Sequence, residues 1–337
     1  MALNKSLAIG DTIVNPGQRV NINLPVADLY TATSLSMPVK VICGRRAGPV
    51  LFISAAIHGD ELNGVEIIRR LLKRKSLQSI RGTLLAVPVV NVHGFLHQSR
   101  YLPDRRDLNR SFPGSAKGSI AARLANTFLK QIVTKADYGI DLHTGAINRS
   151  NLPQIRGNLG DEKTLELARA FGVPVIVNAN IRDNSLRASA AELGMPVLIY
   201  EAGEALRFDE ISIRAGLRGI LNVMRAIGML PEKRPAQRIM NPVLAHSTSW
   251  VRAPASGIVN TEVQLGGSVS KGQRIASVSD PLGDAEEIMV APFDGIVIGC
   301  SNLPLAHEGD ALFNVAAFKS ISRAEDIVEE FTATHDQ

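Results

Sequence analysis

Cysteine is nearly absent: Cys43 and Cys300 are the only two in 337 residues and lie far apart. Neither a disulfide framework nor a cysteine-based metal site is indicated. Aromatic residues make up 4% of the chain, and its lysines and arginines are scattered, with only short clusters such as residues 69–75. A nucleic-acid surface calls for a basic stripe with interleaved aromatics, so no nucleic-acid partner is expected. No run of about 18 apolar residues occurs, which argues against a membrane span. The opening Met1-Ala2-Leu3-Asn4-Lys5-Ser6 lacks a basic segment leading into an apolar stretch, so a cytoplasmic location is the expectation. The net charge of +5 is modest and suits an enzyme that attracts small anions.

What is present is the composition of a soluble globular protein, 45% hydrophobic and 20% charged. Single cores seldom grow beyond about 250–300 residues, so this length predicts two domains. Residues 9–44 alternate apolar and polar positions and predict antiparallel edge strands. From 49 to about 228, strands at 50–57, 83–90, 138–142, 173–178 and 196–200 alternate with helices near 63–75, 118–134, 161–171, 184–193 and 209–228. Short apolar strands separated by helices predict an α/β fold whose sheet is mostly parallel and covered by helices on both faces. Met229 to Pro235 reads as a linker, which ends a first domain at residue 235.

Beyond the linker the texture changes. Val251-Arg252-Ala253-Pro254-Ala255-Ser256-Gly257-Ile258-Val259 is echoed by Val290-Ala291-Pro292-Phe293-Asp294-Gly295-Ile296-Val297. An internal repeat of this kind predicts a small two-fold all-β unit over 236–320, followed by a helix within 321–337.

The chemistry concentrates at strand ends. Ile53 to Ile57 runs into His58-Gly59-Asp60-Glu61, where an imidazole and a carboxylate on a tight strand-to-helix turn make half of a zinc site. A hydrogen-bonded His beside a capping Glu is the competing reading. Asp141-Leu142-His143-Thr144-Gly145 ends a second apolar strand, and open α/β sheets gather ligands at the carboxyl ends of their strands. Three protein ligands with a fourth position open describe a catalytic zinc. Between them, Asn109 and Arg110 offer an amide and a guanidinium fork suited to a carboxylate, and Arg100 is a second cation that could polarise a carbonyl. A merely solvated Arg-rich loop would look the same. Glu201 ends the apolar strand Pro196-Val197-Leu198-Ile199-Tyr200, where an unpaired carboxylate is costly, so it is the expected general base. Glu204, past the strand end, ranks second.

These motifs, from His58-Gly59-Asp60-Glu61 through Asp107-Leu108-Asn109-Arg110-Ser111-Phe112-Pro113-Gly114 and Asp141-Leu142-His143-Thr144-Gly145 to Glu201, resemble in order and spacing the succinylglutamate desuccinylase/aspartoacylase family, relatives of the zinc carboxypeptidases. The resemblance covers roughly residues 45–230. It implies one zinc per chain held by His58, Glu61 and His143, substrate carboxylate on Asn109 and Arg110, Arg100 at the carbonyl oxygen and Glu201 as base and proton shuttle. The implied substrate is a small N-acyl amino acid. A zinc carboxypeptidase acting on peptides and a noncatalytic scaffold are the alternatives. Asp60 stands where Asn is common in the aspartoacylase form, but it is not an expected ligand.

The carboxy-terminal part is similar to biotinyl/lipoyl-like modules through its two Ala-Pro-x-x-Gly-x-Val phrases. The segment from Asp280 to Met289, where carriers present a lysine, has none, and Lys271 lies in another turn. The module is therefore expected to shape or restrict the site or to mediate homo-oligomerisation.

Overall fold

The computed structural model describes residues 2–232 and 241–335. The border expected at residue 235, with linker residues 233–235, lies outside the described residues. One 13-stranded mixed sheet runs through both halves of the chain. Its strands include β1 (Arg19–Asp28), β2 (Ser34–Cys43), β3 (Arg46–Ala55), β4 (Arg81–Val87), β5 (Tyr138–Gly145), β6 (Arg149–Gly157), β7 (Val175–Asn178), β8 (Val197–Glu204), β9 (Val243–Ala245), β10 (Ser247–Arg252), β11 (Gly295–Ser301) and β12 (Ala311–Ala317). Across the sheet the order is β10-β12-β11-β6-β8-β5-β3-β4-β2-β1, with β7 branching from β6 and β9 pairing with β7. The block β4-β3-β5-β8 is parallel, and β1 and β2 form the antiparallel edge expected from the alternating amino-terminal stretch.

Side-chain alternation along β3 feeds two cores. Leu51, Ile53 and Ala55 pack on one face with helices α1 (Asn63–Leu72), α4 (Glu162–Phe171) and α6 (Glu210–Ala226). Phe52 points to the other face, where it meets Phe128 of α3 (Ile120–Gln131) edge-on at 5.9 Å between ring centroids. Helix α5 (Leu186–Glu192) and the inner side of β1 and β2 complete that second core. Local signals set the helix starts: Ser119, Asp161, Ser185 and Asp209 each accept hydrogen bonds from the first-turn amides of α3, α4, α5 and α6.

Strand β6 departs from the sequence expectation. Polar residues and Pro153 disguise it, because proline cannot donate to a central ladder. Here it need not. Residues 149–151 pair with β11, residues 154–157 pair with β7, and Pro153 falls at the changeover, opposite a register irregularity in β8.

Through β6 the parallel block continues into the carboxy-terminal strands. A four-stranded sheet, including Gly257–Thr261 and Arg274–Ser279, covers one face of β10, β11 and β12 around Val297, Phe313 and Val315. The other face, with Ile296, Ile298 and Ala316, packs on Leu152, Val175 and helix α7 (Ile321–His335). Each of the two repeated phrases crosses between these sheets, one from β10 into the smaller sheet and the other from the smaller sheet into β11.

Candidate active site

Three residues beyond β3, His58 sits in the turn that leads into α1. The turn is tight because a short helix, α2 (Val92–Leu96), presses against it: a methyl on Gly59 would lie 2.0 Å from the carbonyl carbon of Gly94. Only glycine fits there. His143 is on β5, and parallel pairing sets Glu201 of β8 in register beside it. His58, Glu61 and His143 are all buried and each offers a ligand atom within 4.8 Å of the others.

The two oxygens of the Glu61 carboxylate each face one imidazole, His58 Nδ1 at 2.7 Å and His143 Nδ1 at 2.8 Å. The other ring nitrogens are also engaged, His58 Nε2 by Asp107 at 3.2 Å and His143 Nε2 by Asp141 at 2.7 Å. Ser54 donates to Asp141 at 2.7 Å and so fixes that carboxylate. Two Nδ1 atoms converge on one carboxylate and each ring is backed by a second carboxylate, a donor set that could hold a metal ion. Burial alone would raise the Glu61 pKa, but the two imidazoles win and hold it far below the usual carboxylate range. Burial alone would lower both histidines, but Glu61 with Asp107 at His58, and Asp141 with Glu61 at His143, raise them. The cluster thus attracts positive charge.

Every other residue expected at the site lines the same cavity, of about 540 Å³: Arg100, Asn109, Arg110 and Glu201. Arg100 donates to Asp107 at 3.0 Å and reaches Glu61 at 3.5 Å, at the rim of the triad. Asn109 Oδ1 accepts from the Leu186 amide at 3.0 Å. Glu201 accepts from Asn151 Nδ2 at 2.9 Å. Glu204 lies elsewhere. Its two oxygens accept from the Asn148 amide at 2.9 Å and Asn302 Nδ2 at 2.8 Å, and it does not line the cavity.

Sequence reasoning gave no role to Asp107, Asp141, Asn151, Arg156, Arg182 or Arg187. Asp141 carried a readable signal, since two residues before His143 on a strand means the same face. Arg156 and Arg187 come from β6 and α5 and, with Arg182, Arg149, Arg110 and Arg100, bring six guanidiniums to the lining. Burial first, then the neighbouring Arg156, lowers the Arg187 pKa, and Arg110 is lowered by burial and by Arg182 and Arg100 despite Asp107. Among the described residues neither Arg156 nor Arg182 has an ion-pair partner, and Arg156 Nε is buried without a hydrogen bond. Thr248 and Trp250 of β10 close the remaining wall, with Arg149 stacked 4.5 Å from the centre of the Trp250 ring. Among the described residues no helix is long and apolar enough to cross a membrane.

The chain is similar to several known proteins. The N-alpha-acetyl-L-2,4-diaminobutyric acid deacetylase of Halomonas elongata is 27% identical over 269 residues, 77% of this chain and 79% of that protein. A succinylglutamate desuccinylase of Pseudomonas aeruginosa is 23% identical over 227 residues, 62% of this chain and 67% of that protein. The crystal structure of a succinylglutamate desuccinylase/aspartoacylase from Rhodobacter sphaeroides superposes with a TM-score of 0.79 at 26% identity, over 89% of this chain and 95% of that one. Residues 47–227, more than half of the chain, match the succinylglutamate desuccinylase/aspartoacylase catalytic domain, and the protein belongs to that family.

Proposed function

We propose that this protein is a zinc-dependent amidohydrolase that removes the acyl group from an N-acyl amino acid. The observation that carries the reading is the cluster His58, Glu61 and His143 in one cavity with Glu201, Arg100, Asn109 and Arg110. A zinc held by those three residues would supply Lewis acidity toward the scissile carbonyl and lower the pKa of water. Glu201, in register beside His143, takes the proton of the attacking water and hands it to the departing amine. Arg100 donates to the oxyanion that develops on the carbonyl oxygen. Asn109 through Nδ2 and Arg110 through its fork hold the α-carboxylate.

The lining adds a preference. Six guanidiniums favour a substrate with two or more carboxylates and disfavour one with a free ammonium, such as the diaminobutyrate named for the Halomonas relative. Peptide ends fit less well, because Thr248 and Trp250 wall the cavity. We read residues up to about 235 as the hydrolase unit and 236–320 as a biotinyl/lipoyl-like module without carrier function. The tip of its hairpin, between Ser279 and Glu286, is a turn in which Asp280 accepts from the Leu282, Gly283 and Ala285 amides, and no lysine stands there.

The test supplies zinc to the purified protein and follows free amine release from N-succinyl-L-glutamate, N-acetyl-L-aspartate and Nα-acetyl-L-2,4-diaminobutyrate. Release from the first two substrates, which both carry more than one carboxylate, should be faster than from the diaminobutyrate. A zinc-loaded protein that releases amine from none of the three would remove the deacylase reading.

A further inference from the structure

The general-base reading of Glu201 leaves open what aims its carboxylate. Glu201 follows four strand residues and precedes a register irregularity in β8, between its pairing with His143 and that of Glu204 with Gly145. The ladder is therefore interrupted just past Glu201 and resumes at Gly203 with Asn151 and at Glu204 with Gly145. Among the described residues one side chain hydrogen-bonds its carboxylate: Asn151 Nδ2 donates to Glu201 Oε2 at 2.9 Å. Asn151 is itself buried, lines the cavity, and belongs to β6, the strand that joins the hydrolase sheet to the carboxy-terminal strands.

Asn151 lies between Gly203 of β8 on one side and the module on the other. Asn151 pairs with Gly299 of β11, Gly299 pairs with Asn314 of β12, and Asn314 pairs with Trp250 of β10, so one row crosses four strands. Gly299 is the gap in that row. A methyl there would stand 3.0 Å from Asn151 Oδ1, 3.4 Å from Asn314 Cβ and 3.5 Å from Trp250 Cη2. The first contact is tighter than ordinary packing, and the backbone of three paired strands limits relief. Asn151 thus has its amide oxygen side set against the bare Gly299 backbone and its Nδ2 directed to Glu201.

We propose that Asn151 is a positioning residue that aims the Glu201 carboxylate, and that the module, through Gly299, holds Asn151 in place. The inference rests on Glu201 being the base. On this account the carboxy-terminal strands serve the proton transfer as well as walling the cavity.

The test compares crystal structures of the zinc-loaded parent and its Asn151→Ala and Asn151→Asp variants with their kinetics on the best of the three substrates named above. In Asn151→Ala the Glu201 carboxylate should leave its parent position, and kcat should fall roughly 10- to 100-fold with KM nearly unchanged. Asn151→Asp keeps the size, removes the donor and sets a like charge beside Glu201, so its loss should be larger. Placed on Glu201→Gln, Asn151→Ala should cost little more, since both changes disable one unit. Gly299→Ala should lower kcat in the same direction while the zinc content stays at the parent level. An unmoved Glu201 carboxylate in Asn151→Ala, or kcat losses that multiply in the double variant, would overturn the proposal. Should the parent hydrolyse none of the substrates, the proposed function falls, whereas the crystallographic comparison still decides whether Asn151 aims Glu201.

Discussion

The two halves of the large sheet use the same backbone hydrogen bonding to different ends. In the parallel block β4-β3-β5-β8, successive strands end at one edge; the chain leaves β3, β4 and β8 through loops and helices, and β5 through residues 146–148 into β6. His58 follows β3, and His143 and Glu201 sit side by side late in β5 and β8. In β10, β12 and β11 the pairing is antiparallel, and this part brings only Thr248 and Trp250 to the cavity. The difference teaches that parallel order gathers reactive groups from distant sequence at one edge. Antiparallel order, with one sheet covered on both faces, supplies a rigid wall.

If that division holds, changes at the cavity-lining residues of the parallel block should abolish chemistry and changes in the antiparallel part should only adjust it. The largest effect is expected from His143→Ala, which removes one of three metal donors: bound zinc and turnover should both fall to background, measured by elemental analysis and amine release. Next comes Glu201→Gln, which keeps shape but cannot take a proton. Its kcat should drop by roughly 10²–10⁴ with zinc retained. Glu204→Gln sharpens the contrast, because Glu204 is occupied by Asn148 and Asn302. It should lose about 1 kcal/mol of stability in denaturant unfolding while kcat stays near the parent value. Arg110→Ala should raise KM, by roughly 1.5–3 kcal/mol in binding, as a charge-assisted contact to the carboxylate is lost. A substrate amidated at that carboxylate should show the same weakness with the parent protein. The smallest effect is expected from Trp250→Ala in β10. It removes the stacking partner of Arg149, worth about 0.5–1 kcal/mol, and should widen acceptance of bulkier N-acyl amino acids with little change in kcat. A Trp250→Ala protein as dead as His143→Ala would break the comparison.

Legibility followed the same division. The parallel strands were readable because they are short apolar runs ending in polar loops, and the residues singled out at their ends lie around one cavity. The helices expected near 118–134, 161–171, 184–193 and 209–228 are present, and Ser119, Asp161, Ser185 and Asp209 cap their starts. Strand β6 was not, because its Pro153 and polar residues make sense only where the sheet branches between β11 and β7. Asn151, Arg149 and Arg156 went with it. Arg182 and Arg187 could not be found from spacing, since a loop and α5 bring them to the cavity through tertiary packing alone. The continuity of the sheet into residues 243–317 was hidden for the same reason. A change of texture marks a change of strand length and turn chemistry, and strand pairing can cross it.

The most direct test of the central claim is a zinc titration of metal-free parent protein, with amine release from N-succinyl-L-glutamate and N-acetyl-L-aspartate followed at each step. Activity should rise in proportion to bound zinc and level off at about one equivalent per chain, the capacity of a single three-donor site. Full activity in the metal-free protein, or an unchanged zinc titration in His143→Ala, would contradict the account.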